Sequence, residues 1–398
     1  MATINPHTTR AVGTVLTASI YNADHVNHVS NANALNAELL TTPGNSGFVE
    51  GSTPGTPPAG RVLIYAKADK HLYQLDSAGL ETDLAAAGGL MPPQGRLCLL
   101  TGTPVHTTDQ LAKTSIFYTP YIGSMVPFWN GAIWLLVSIS ELSLTLSSFH
   151  TVDTNYCLWG DYNAGSPRLV SGPAWTSDLA RVASGDIVRQ NGIWLNNASM
   201  TARFGTGAGD TATIAASRAT HLGTFRTSAA GQTEFTISPT PAAGGTNNKL
   251  FLWNTYNRRQ IDPICRDSTD SWLLANGVKQ AMNAGGPGSG LNNRISFVTG
   301  LAEDASWCSL IHAGSCGGGF ITTGVGRDSL TNIMGRAGFH NHGANVVPIY
   351  GDNSAQVMGF HFFQAIESHQ FGGAANATMF GDSGVADVQT GLSAELWM

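Results

Sequence analysis

From Gln94 onward, apolar runs of roughly four to eight residues alternate with clusters of Gly, Asn, Asp, Ser, Thr and Pro. RLCLL, SIFYTPYI, AIWLLVSI, TATIA, KLFLW, RISFV and GFITT are the clearest runs. Closely spaced runs bounded by turn residues predict the strands of β-sandwiches or jelly rolls and argue against strand-helix alternation. Asn130-Gly131 and Asn191-Gly192 each precede an apolar run containing a tryptophan, Trp134 and Trp194. Asn and Gly accept the left-handed backbone that primed hairpin turns require, so both sites are predicted hairpins. One short helix is expected within residues 354–367.

Ahead of Gln94 the pattern changes. Residues 19–40 contain no Gly or Pro, and a 3-4 spacing runs through Val26, Val29, Asn33, Asn36 and Leu40, which predicts a helix. Its stripe is too weak to hold a helix alone in water, and Asn at seam positions tends to fix register and oligomer state. The helix is therefore expected to pack in a parallel bundle of copies or on another protein, with packing on its own domain as the alternative. Residues 42–60, rich in Pro, Gly, Ser and Thr, read as a linker. Around Ala68-Asp69-Lys70 two short strands are predicted, with Val62, Ile64 and Leu72 alternating against polar neighbours.

Met91-Pro92-Pro93 reads as a hinge, and Thr240-Pro241-Ala242-Ala243-Gly244-Gly245 as the best internal boundary. The expected organisation is a mainly β chain in five parts: an anchoring and trimerisation helix (1–41), a linker (42–60), a β-hairpin module with hinge (61–92), a first β-sandwich domain (93–240) and a C-terminal β-sandwich domain (241–398).

Composition sharpens this picture. The chain has 398 residues, of which only 12% are charged against about 25% in ordinary soluble domains, so uncharged polar groups must cover its surface. Its 47 glycines favour turns over long helices. The net charge of -6, with no block of Lys or Arg, argues against nucleic acid as a partner. No membrane insertion is expected, and the first residues lack a basic start followed by an apolar run of signal-peptide length. Cys98, Cys157, Cys265, Cys308 and Cys316 are too few and scattered for a disulfide framework and read as reduced core residues. Oxidation of Cys308 and Cys316 would close a small loop, which the sequence leaves open.

No catalytic, cofactor or metal site is expected. Gly381-Asp382-Ser383-Gly384 matches a serine-protease tetrad, and Ile311-His312-Ala313-Gly314 offers a histidine. Val385 stands where the oxyanion site needs a glycine, however, and His312 lies too close upstream. A turn ending a strand fits better. Gly205-Thr206-Gly207-Ala208-Gly209 lacks the Lys-Ser or Lys-Thr of a phosphate loop and reads as a surface loop. His340 and His342, two apart, would share one face of a strand, and three chains about an axis would supply six ligands; exposed loop histidines are the plainer reading. Asp24, His25 and His28 invite the same reading. Glycoside hydrolysis would need two carboxylates across a cleft, and Asp153 with Asp161, Asp267 with Asp270, and Glu303 with Asp304 all fall in turn-like segments. Trp129, Trp134, Trp159, Trp175, Trp194, Trp253, Trp272 and Trp307 read mostly as core or interface anchors, with some able to stack on sugar rings.

Several segments carry a family resemblance. Asn5-Pro6-His7-Thr8-Thr9-Arg10-Ala11, Gly13-Thr14-Val15-Leu16-Thr17 and Tyr21-Asn22-Ala23-Asp24-His25 resemble the N-terminus of tail-fibre and head-fibre proteins of tailed bacteriophages. The hairpin from Gly60 to Gly79 is similar to the segment that follows in those proteins. So are Phe117-Tyr118-Thr119-Pro120-Tyr121-Ile122-Gly123, Gly172-Pro173-Ala174-Trp175, Asn191-Gly192-Ile193-Trp194, Leu252-Trp253-Asn254-Thr255-Tyr256-Asn257-Arg258 and Asn293-Arg294-Ile295-Ser296-Phe297. The resemblance implies a non-enzymatic homotrimeric virion appendage, folded in the bacterial cytoplasm, docked on tail, collar or capsid proteins through its N-terminus and binding a host surface glycan. A capsid or collar decoration protein is the alternative, and a polysaccharide depolymerase a more distant one. The chain departs from long fibres in having no coiled-coil or β-helical shaft, so a short fibre or knob is expected.

Overall fold

In a computed structural model the described residues are 51–398 without 69–70, 84–89, 276, 285–291, 318, 335–337, 341–344, 351–353, 356, 371–375, 383 and 385–388; for residues 82–83, 338–340, 345–350 and 354–355 the backbone alone is described. The expected helix at 19–40, including Asp24, His25 and His28, lies outside them. The fold is mainly β. Among the described residues there are 32 strands and a single 3-10 turn, Ala183–Gly185.

The chain divides into two compact units, Met1–Gly89 and Leu90–Met398. In the first, Leu63–Ala66, Leu72–Leu75 and Glu81–Asp83 form an antiparallel meander. The predicted hairpin is present, with a third strand that the sequence reading lacked. Glu81 ties its face together, accepting hydrogen bonds from the Tyr65 hydroxyl and the Lys67 ammonium. Val62, Ile64 and Leu72, the apolar alternation read from sequence, are 53%, 51% and 37% exposed.

The second unit contains three larger sheets. Sheet I runs Ile187–Gln190, Ile193–Asn196, Ala219–Arg226, Asn155–Asn163, Ser166–Ala174, Met200–Arg203, Thr211–Ile214, with Leu252–Asn254 also on Ala219–Arg226. Its central strand NYCLWGDYN is buried on both faces: Tyr156 and Leu158 enter one apolar cluster, Cys157 and Trp159 another. The Asn191-Gly192 hairpin has the form expected of a primed turn. Gln190 pairs with Ile193, and the two turn residues have φ of 50° and 88°.

Sheet II centres on Gly359–Gln370, flanked by Phe320–Arg327 and Arg294–Thr299. Asn247–Leu250 then adds parallel to Arg294–Thr299, and Thr233–Phe235 and Gln110–Lys113 complete that side. The short helix expected within 354–367 is absent: Ser354–Ala355 and Gly359–Gln370 are strands. Ala, Gln, Met and Glu in that stretch favour helix locally, but strands on both sides satisfy its backbone and Phe363, Ala365 and Ile366 are buried, so tertiary pairing overrides local preference.

Sheet III runs Gln260–Ile261, Gly391–Trp397, Ala305–Cys316, Ala377–Phe380, Trp272–Leu274. It separates its faces cleanly. Ile261, Leu392, Ala394, Leu396, Cys308 and Leu310 are buried, while Gln260, Ser393, Glu395, Trp397, Trp307 and Ser309 lie on the opposite face.

The turn cluster at 240–245 does not separate two domains. Strands before it, Gln110–Lys113 and Thr233–Phe235, share a sheet with Asn247–Leu250 and Arg294–Thr299 after it. Leu97, Ile116, Phe128, Leu158, Phe225, Phe297, Phe363 and Leu396 belong to one buried cluster. The expected sandwich pair at 93–240 and 241–398 is thus one body around one core, with shared strands where a linker was expected. The loop open for Cys308 and Cys316 is also ruled out. Both lie on the continuous strand Ala305–Cys316, eight residues apart, which at about 3.3 Å per residue separates them far beyond disulfide reach. None of the five cysteines is in a disulfide, and all are buried.

Candidate functional site

The exposed face of sheet III carries the arrangement of greatest chemical interest. In Gly391–Trp397, period-two alternation puts Ser393, Glu395 and Trp397 on one face. Trp307, on the adjacent strand, pairs directly with Glu395, and Gln260 pairs with Trp397 on the other side. Trp307 and Trp397 are therefore diagonal neighbours, a relation that places residues about 7–8 Å apart. Below them Ser309 and Ser393 share a hydroxyl hydrogen bond of 2.7 Å.

A cleft of about 320 Å³ opens over this face, lined by Ala305, Ser306, Trp307, Glu395 and Trp397. A second, of about 460 Å³, adjoins it through Trp397 and is lined by Tyr256, Asn257, Arg258 and Asp304 among others. Trp397 is 43% exposed. Among the described residues no hydrogen bond or ion pair engages the Glu395 carboxylate. Arg258, by contrast, is occupied twice: its guanidinium binds Asp304 and, at 2.8 Å, Glu303, while it lies over the Trp253 ring. Burial holds the Asp304 carboxyl above its ordinary value, with Glu303 adding to the rise and Arg258 opposing it.

The wall of the second cleft is fixed by its backbone. Asn257 has φ of 55°, a conformation Asn tolerates, and its side-chain amide donates to the carbonyls of Pro93 and Gly95, both at 2.9 Å. The Tyr256 hydroxyl accepts the Trp194 backbone N–H at 2.8 Å, and burial raises that phenol's pKa. These contacts hold the 255–258 segment rigid beside the exposed indole. Two aromatic faces, a free acceptor and a polar rim suit a ligand with flat C–H surfaces and hydroxyl or amine donors.

The other sequence candidates lie elsewhere. Asp161 is held by Arg168 at 2.6 Å, and Asp153 lies 3.9 Å from Arg226. Asp267 is buried and accepts from the Asn283 and Asn293 amides at 2.8 and 2.9 Å. Asp304 lines the second cleft, and both it and Glu303 are engaged by Arg258. Gly381 and Asp382 follow the strand Ala377–Phe380 in a turn closed by the Gly384 N–H on the Asp382 carboxylate; Ser383 lies outside the described residues. Residues 205–209 form the loop joining Met200–Arg203 to Thr211–Ile214, with the Gly207 N–H on Asp210. His340 ends the strand Gly338–His340, and His342 lies outside the described residues. No cluster of three or more His, Cys, Asp or Glu able to hold a metal occurs among the described residues.

Of the tryptophans, Trp159, Trp253 and Trp175 are buried, and Trp129 packs at a tilt against Trp134 across its hairpin, with centroids 5.4 Å apart. Trp307 reaches a cleft. Trp397 was missed from sequence, although the alternation of LSAELW marks it as sharing a face with Glu395.

Two buried polar groups lie apart from the cleft. Glu367, within sheet II, accepts hydrogen bonds from the Gln280 amide and Trp272 indole at 2.9 Å and from the Asn283 N–H at 3.2 Å. Burial pushes its carboxyl up to about 7 against those bonds. His150 accepts the Ser147 N–H on Nδ1 at 3.1 Å and meets the Ser171 hydroxyl at 2.9 Å, and burial pushes it down to about 4.

No protein-family model matches this chain, and no curated protein matches it. Among solved structures, the insecticidal delta-endotoxin Cry8Ea1 from Bacillus thuringiensis aligns with 86% of this chain and 60% of its own length, at 9% identity and a TM-score of 0.21. The chain thus spans less than two thirds of that toxin. No helix of the described residues is long and apolar enough to cross a membrane.

Proposed function

We propose that this chain is a structural protein of a tailed-bacteriophage virion: a homotrimeric short fibre, mounted through an N-terminal helical anchor on tail or head, whose sandwich-like body attaches the particle to a host surface glycan without catalysis. The observation that carries the adhesive part of this reading is the cleft at Trp307, Glu395 and Trp397, where two indoles and a carboxylate with no partner among the described residues share one sheet face. The exposed Val62, Ile64 and Leu72 on the small meander support self-association, because strands of three or four residues bury too little to stand alone. The carboxylates best placed for hydrolysis are tied to Arg258. Weak binding at each site is compensated by copy number.

Sedimentation equilibrium of the purified chain is expected to give a trimer, and the labelled trimer is expected to stain host cells. A monomer at micromolar concentration overturns the assembly. Phage lacking residues 90–398 are expected to lose adsorption; retained adsorption with less stable particles would make the protein a decoration instead. Release of oligosaccharides from host polysaccharide would overturn the non-catalytic reading.

A further inference from the structure

We infer that the cleft on sheet III selects saccharides by charge, taking a pyranoside that bears a free amine best, an uncharged one less well, and excluding one that bears a carboxylate. This inference rests on the adhesion reading above and specifies its ligand. Two carboxylates, Glu395 and Asp304, line the adjoining clefts together with one guanidinium, Arg258, and that guanidinium is held by Asp304 and by Glu303. It engages them one through each terminal nitrogen, so an acidic sugar would have to compete with two carboxylates in place. Among the described residues Glu395 has no side-chain partner, and it offers two oxygens to hydroxyl or ammonium donors.

The indoles select in the same direction. Their faces carry partial negative charge, which attracts a ring's C–H surface and attracts an ammonium more strongly. As diagonal neighbours about 7–8 Å apart across the strand pair, Trp307 and Trp397 can cover the faces of two successive rings while Glu395, directly opposite Trp307, reaches substituents between them. A uronate or sialate at that point would bring its carboxylate against Glu395, in a cleft whose lining residues include no lysine or arginine.

Isothermal titration of the full chain with a glucosamine disaccharide, its N-acetylated form and a uronate-containing disaccharide tests this. The expected order is glucosamine, then N-acetylglucosamine, then no detectable uronate binding. Glu395→Gln is expected to weaken glucosamine binding by about tenfold and to leave the N-acetylated ligand within about twofold. Trp397→Ala is expected to weaken both ligands by about tenfold or more, and Trp397→Phe to recover most of the loss, which separates stacking from misfolding. Uronate binding equal to or tighter than glucosamine binding overturns the charge selection and leaves the adhesion reading standing. If none of the three ligands binds and Trp397→Ala stains host cells like the parent, both fall. A change in sedimentation on Trp397→Ala would show that a second copy covers this face, and would overturn the site.

Discussion

Gly223 lies where two strands and a leucine converge. A β-carbon there would sit 2.1 Å from the Trp253 carbonyl oxygen and 2.4 Å from a Leu97 methyl, and the carbonyl cannot retreat without breaking the pairing of Ala219–Arg226 with Leu252–Asn254. Gly223→Ala is expected to lower stability by about 1–3 kcal/mol, measured by urea denaturation, with spacing and not φ as the cause. Glu367 sets a pH dependence of definite sign. Its ordinary value is 4.5 and its folded value about 7, so between them the folded chain holds more protons than the unfolded one. Its contribution is complete below pH 4.5 and is lost as pH rises toward 7. His150 and His106, both lowered to about 4 by burial, act oppositely: their contribution is present above pH 6.5 and is lost as pH falls toward 4. The difference between parent and Glu367→Gln isolates the carboxyl, and is expected to change by on the order of 2 kcal/mol between pH 4.5 and pH 7, read from denaturation midpoints. A flat difference would place the ionised form in the folded state at both ends.

At the level of strands, sequence legibility followed the local character of each signal. The Asn191-Gly192 turn and the runs at RLCLL, TATIA and RISFV were readable because hairpin turns and period-two alternation are written within a few residues. Gly359–Gln370 was not, since its partners at 294–299 and 320–327 lie tens of residues away and nothing within GFHFFQAIESHQ names them. The cleft was half legible: Trp307 was in view as a stacking candidate, but the register that opposes it to Glu395 depends on a strand some ninety residues later. The same long strand decides the cysteine chemistry. With Cys308 and Cys316 fixed on an extended segment and every thiol buried, a thiol reagent is expected to label none of the five in the native protein and all five in denaturant, with identical mobility on reducing and non-reducing gels.

For the whole body, one continuous core makes a specific demand on dissection. The cluster that includes Leu97 and Phe128 also includes Phe297 and Leu396, so residues 90–398 are expected to fold as a fragment and melt in one calorimetric transition. Cutting between 240 and 241 would expose that core on both halves and strip Asn247–Leu250 of Thr233–Phe235, so the separate halves are expected to be insoluble. Two independent transitions in the 90–398 fragment would restore the two-domain division that the turn cluster at 240–245 suggests.

Gly391–Trp397 occupies the interior of sheet III, between Gln260–Ile261 on one side and Ala305–Cys316 on the other. On the ribosome, therefore, those two neighbours emerge first and wait with bare edges for a companion still inside the exit tunnel. A chain with few charged gatekeepers is vulnerable during that interval. Yield of native material should thus respond to elongation speed and chaperone supply, with cool, slow expression rescuing product that rapid synthesis sends into inclusion bodies.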